Sequence, residues 1–150
     1  MSLAHIHPML VHFPIVLVMI AFLFDAYRVL CSASAATVRP KGPDVGTILM
    51  ALAGLAAIAA FIFGDLAYDI AVEHGFKEAQ LESHEGWGTT TTITLVIIAL
   101  VRIVMWWRGM DAGPRGRLFA AALTAAGTVM VMVTAYFGGQ LVYDLGVNVM

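Results

Sequence analysis

Four long runs of apolar residues, separated by short polar segments, dominate the chain. They cover about residues 6–30, 45–72, 87–108 and 117–137. Each is long enough to span a bilayer core, which takes roughly 20 residues of α-helix. The pattern predicts an all-α membrane protein, a four-helix up-down bundle with no room for a second domain. Pro8 suits a first helical turn, where its missing N–H is not needed. Pro14 lies further in and should bend the first helix, and Pro40 and Pro43 mark residues 31–44 as a polar loop. The second run is rich in small residues: Ala53/Ala57 and Ala56/Ala60/Gly64 recur every four positions, which lets a neighbouring backbone come close. Beyond Gly64 it turns polar, with Asp65, Asp69 and Glu73 on one face, and residues 73–85 read as a charged connector that could itself be helical. Ala121/Ala125 and Ala122/Ala126 repeat the small-residue spacing in the fourth run. Gly138-Gly139 is expected to break or kink that helix, leaving residues 140–150 as a short amphipathic tail.

Composition supports this reading. Of 150 residues, 61% are hydrophobic and 12% charged; a soluble domain carries about twice that charge. The lipid bilayer is therefore the first partner. Seven basic residues (Arg28, Arg39, Lys41, Arg102, Arg108, Arg115, Arg117) fall at one set of helix ends, and only Lys77 falls at the other. By the positive-inside rule both termini and the middle connector face outward, as in a multi-pass protein of the bacterial inner membrane with periplasmic termini. Arg102, Trp106, Trp107 and Arg108 read as an interfacial belt. Cys31, the single cysteine, then faces the cytoplasm and has no internal disulfide partner. A signal peptide is not expected: Lys and Arg are missing from the first residues, and the first apolar run is too long for a signal core.

With this orientation the outer face collects His5, His7, His12, His74 and His84, together with Asp65, Asp69, Glu73, Glu78, Glu82, Glu85 and Asp144. Ionisable or ligand-forming groups at the membrane edge mark a functional site. His5 reads as solvated and His74 as a helix C-terminal cap. His12, past the helix entrance among apolar neighbours, and His84, opening the third helix, are candidate ligands. Asp65 follows Phe61-Ile62-Phe63-Gly64, so partial burial is expected, with a histidine or metal as its partner. The hydroxyls of Thr89 to Thr92 should bond back to their own helix.

Three functional classes stay open. Helices one and three are diagonal neighbours in an up-down bundle, so His12 and His84 could ligate a b-type haem between them. Asp65 would orient a ligating histidine, and small residues on the second and fourth helices would leave room for the porphyrin. Such a subunit would pass electrons to or from a quinol or a periplasmic carrier. Against it, the outer end has no arginine for the propionates, and His84 stands about one turn above His12. His7 cannot share a helix face with His12, because five residues turn a helix by about 140° net. In the second class His7, His12, His84 and Asp65 form a zinc, copper or iron site, with Met9 as a soft ligand for copper. In the third the chain is a cofactor-free structural subunit of a larger membrane complex. A hydrolase has little support without a nucleophile elbow or HExxH, and nucleic-acid binding has none.

His7-Pro-Met-Leu-Val-His12-Phe-Pro-Ile at the start, Gly64-Asp65 ending the second run, His84-Glu85 opening the third, and Gly138-Gly139-Gln-Leu-Val-Tyr143-Asp-Leu-Gly146-Val near the end resemble a bacterial membrane family known as domain of unknown function 2231. The resemblance spans essentially the whole chain. It implies a four-helix membrane protein and, because some members are fused to Rieske or c-type cytochrome domains, electron transfer at the outer face. It carries His7, His12, Asp65 and His84 over as site residues, but not His5 or His74. Asn148 departs from the family's usual Gly-Val-Gly-Val ending.

Overall fold

The computed structural model describes residues 6–31, 42–111 and 113–147, all of them helix or short connection. His5, Arg39, Pro40, Lys41 and Asn148 lie outside the described residues. The helices are α1 (Ile6–Leu10), α2 (His12–Cys31), α3 (Val45–Glu73), α4 (Glu78–Arg108) and α5 (Pro114–Tyr143). α1 and α2 form one interrupted segment, which gives four segments long and apolar enough to cross a membrane. A lipid bilayer is the environment these segments require. Leu23, Leu55 and Leu118 are each more than 60% exposed on the outside of the bundle, a surface that acyl chains solvate and water does not.

Local chemistry sets the boundaries. Pro14 has no N–H to give the carbonyl of Leu10, and the next bond, Ile15 N–H to Val11 O, is long at 3.4 Å; the helix is interrupted at Val11. Asp44 caps α3, its carboxylate accepting the Thr47 N–H at 2.7 Å. α4 ends at Gly109 (φ 70°), whose left-handed backbone closes the helix.

Two boundaries differ from the sequence reading. α4 begins at Glu78, ahead of the expected start of the span near Trp87, and much of the connector is helical, as the sequence allowed. α5 runs unbroken through Gly138 and Gly139 to Tyr143, because both glycines have helical neighbours and the gap that Gly138 leaves is filled by His84 of α4.

Helices α2 to α5 form a ring in which each packs on two neighbours, with α1 against α3. One face of each turns inward at helical spacing: Pro14, Val18, Ala21 and Asp25 on α2, and Ala120, Thr124, Gly127 and Val131 on α5. The α5 seam is thus offset from the expected Ala121/Ala125 and Ala122/Ala126 pairs; Ala122 and Ala126 are exposed. A central layer of Val18, Ala21, Met50, Ala53, Ala57, Leu95, Ile98 and Val131 separates a histidine end from an arginine end.

Arg102 lies inside the bundle at the arginine end rather than in an interfacial belt. It is 1% exposed and binds both Asp25 oxygens, at 2.6 and 3.2 Å, and Asp44 at 3.1 Å. Thr124 donates to Asp25 at 3.2 Å, and Arg28 pairs with Asp44. Gly46 makes room for this cluster: a Cβ there would collide with the Arg102 guanidinium. Burial alone would raise the Asp44 carboxyl, but the Thr47 N–H, Arg102 and Arg28 outweigh it and hold the group below its ordinary value. A depressed folded pKa gives stability that is present above the unfolded value of about 3.9 and is lost as pH falls through the folded one. Asp44→Asn should therefore flatten the acid limb of thermal stability in detergent between about pH 5 and 3. An acid limb identical to that of the unaltered protein would show that Asp44 does not contribute it.

Candidate cofactor-binding site

At the histidine end His7, on α1, meets His84, on α4, across the bundle. The ring centroids are 6.0 Å apart and the planes stand at 75°. Each Nδ1 is bonded to a main-chain carbonyl, His7 to Ala60 on α3 at 2.8 Å and His84 to Thr134 on α5 at 3.3 Å. A carbonyl only accepts, so in each neutral ring Nδ1 carries the proton and Nε2 keeps its lone pair for a ligand. Metal-binding histidines are commonly oriented by such a bond.

A glycine seats each ring. Gly64 and Gly138 lie four residues beyond Ala60 and Thr134. A Cβ on Gly64 would come within 3.0 Å of His7 Cε1, and one on Gly138 within 2.9 Å of His84 Cε1. A methyl group at Gly138 would force a shift, and one at Gly64 would be tighter than an ordinary contact.

Beside the rings is a cavity of about 430 Å³ reached by all the helices, within the size range of small-molecule and cofactor pockets. Its wall on α3 is a stripe of small residues, Ala57, Ala60, Gly64, Ala67 and Ala71. The sequence suggests close helix packing for this spacing. That holds for Ala53 and Gly54, but from Ala57 onward the missing side-chain volume also opens the cavity.

The other sequence candidates fall around this pair. His12 lines the cavity, but it is exposed and its Nδ1 bonds to Pro8 O at 2.6 Å in its own helix. The histidine that faces His84 is therefore His7: it stands 18 residues, about five whole helical turns, before the buried Asp25 and so shares the inward face of Pro14, Val18 and Ala21, from which His12 turns away. Asp65 lines the cavity mouth and is exposed; carbonyls, not this carboxylate, orient the rings. Among the described residues no three His, Cys, Asp or Glu side chains gather as a metal site. Met9 is 54% exposed. His74 is the C-cap residue of α3. Thr89, Thr90 and Thr94 bond back within α4, but Thr91 reaches α5, 2.7 Å from the Thr134 hydroxyl.

Hydropathy does not reveal that the two helical hairpins follow one plan. His7 and His84 are 77 residues apart, and so are the paired Asp25 and Arg102. Phe-Gly recurs at 63–64 and 137–138. In each half a histidine on the first helix donates four residues below a glycine on the second helix of that half. The equal spacing from His7 to Asp25 and from His84 to Arg102, 18 residues, was the available signal.

A family model described as predicted membrane protein (DUF2231) matches residues 4–150. No curated protein and no solved structure matches the chain.

Proposed function

We propose, from the premise that the chain belongs to the DUF2231 family of predicted membrane proteins, that it is a membrane electron-transfer subunit holding a b-type haem between His7 and His84. The observation that carries this is the pair itself: two imidazoles from opposite sides of the bundle, each with Nδ1 tied to a carbonyl and Nε2 free, beside a cavity walled by small residues. A haem iron asks the protein for only two axial ligands, whereas a bare zinc or copper ion asks for three or four. The two rings would supply those ligands from centroids that stand 6.0 Å apart.

In this reading the haem supplies one-electron chemistry, and the protein supplies orientation and insulation. Ala60 O and Thr134 O fix the rings, and Gly64 and Gly138 set how far each ring reaches. The apolar layer around Val18, Leu95 and Val131 keeps the centre apart from the charged cluster at the arginine end. With the histidine end facing the periplasm, as the distribution of Lys and Arg supports, electrons exchange with a quinol in the membrane or a carrier outside it.

The test is an absorption spectrum of detergent-purified protein, oxidised and dithionite-reduced, with elemental analysis of the same sample. A Soret band with sharp reduced α and β bands is expected, and His84→Ala should remove them. A colourless protein with stoichiometric zinc or copper would replace haem with a metal ion. A colourless, metal-free protein would leave the role of a structural subunit in a larger complex.

A further inference from the structure

The two histidines occupy the same place in two repeats of one plan; His7 has the shorter carbonyl bond, 2.8 Å against 3.3 Å, but the helix and the side chains around it are less firmly held. α4 continues unbroken past His84 for six turns and more, whereas the helix carrying His7 is interrupted at Val11, the position that corresponds to helical Gly88. The seat of His84 is braced by hydroxyls. Thr91 and Thr134 are 2.7 Å apart, Thr91 donates to Met130 O at 3.3 Å, and Thr134 lies 3.2 Å from Trp87 O. The corresponding positions in the first half are Pro14 and Ala60, which have no hydroxyl. α1 has five residues, none of them buried, and so short a helix has no stability of its own. It is held on α3 by packing and by the His7 bond to Ala60.

We infer that His7 is the exchangeable ligand of the pair. α1 swings about Val11, and a small neutral molecule with a lone pair for iron takes the position that His7 leaves, while His84 stays bound. The inference rests on the haem reading above. In the exchange the bond from His7 Nε2 to the metal breaks and one bond from the incoming molecule forms. The His7 proton remains on Nδ1, and no electron changes hands.

Carbon monoxide is the probe, added to dithionite-reduced wild-type protein, His7→Ala and His84→Ala in detergent and followed in the Soret band. The wild type should bind it. His7→Ala should keep the pigment and bind with an apparent affinity about ten-fold or more higher, since the competing closed arrangement no longer depletes the competent one. His84→Ala should lose the pigment. Free imidazole added to His7→Gly should restore the six-coordinate spectrum, which separates loss of a ligand from loss of fold. A coloured wild type that refuses carbon monoxide overturns the inference and leaves the haem reading standing. So does a His7→Ala protein that loses pigment as completely as His84→Ala, without imidazole rescue of His7→Gly. A colourless wild type overturns both.

Discussion

Arg102→Met should destabilise the protein by about 3–5 kcal/mol, the cost of removing one partner from a buried ion pair. Arg102 and Asp25 are each 1% exposed, and the pair is bidentate. Without the guanidinium, Asp25 keeps the Thr124 hydroxyl at 3.2 Å and the fringe of Arg28 at 4.0 Å. Neither compensates a buried carboxylate. Asp44 keeps Arg28 and the Thr47 N–H, so the penalty falls on Asp25. The double variant Asp25→Leu/Arg102→Met should recover most of the loss, because apolar groups of similar volume often replace a buried pair at little cost. Thermal or denaturant unfolding in one detergent, followed by helical circular dichroism, measures both. A single variant as stable as wild type, or a double variant as unstable as the single, would contradict the buried pairing.

The second large effect is expected at Gly138. With 2.9 Å between a new Cβ and His84 Cε1, Gly138→Ala must push the imidazole off its seat, and α5 cannot retreat without losing its contacts with α2 and α4. If the pair holds a haem as proposed, the pigment of the purified protein should fall by most of its intensity. Gly64→Ala meets His7 at 3.0 Å and should do less, because the contact is less close and α1 is a short helix with no buried residue. Gly86→Ala is the control: a Cβ at Gly86 meets nothing within 4 Å, and alanine favours a helix by up to about 1 kcal/mol. The control should keep full pigment with equal or better stability. Equal pigment in Gly138→Ala and Gly86→Ala would mean that Gly138 does not seat a ligand.

Both predictions concern residues whose importance is hidden in the linear pattern. Arg102 stands four residues before Trp106 at a helix end, where an interfacial anchor is the ordinary reading. Gly138-Gly139 looks like a helix break for an equally ordinary reason, the poor helix propensity of glycine. In each case another helix changes the meaning, by bringing a carboxylate to the arginine and an imidazole to the glycine.

The sequence by itself determined the four membrane-crossing segments, the end at which the histidines gather and the family. Those properties depend on run length and local composition: a bilayer core demands a fixed length of apolar helix whatever packs beside it. Only the tertiary structure decided which histidine faces His84, because that depends on which face of the first segment turns inward and on how two hairpins dock. Small residues at four-residue spacing are compatible both with close packing and with an open cavity. Which of them packs and which lines the space is settled by the distance between helix axes, a quantity that no single helix encodes.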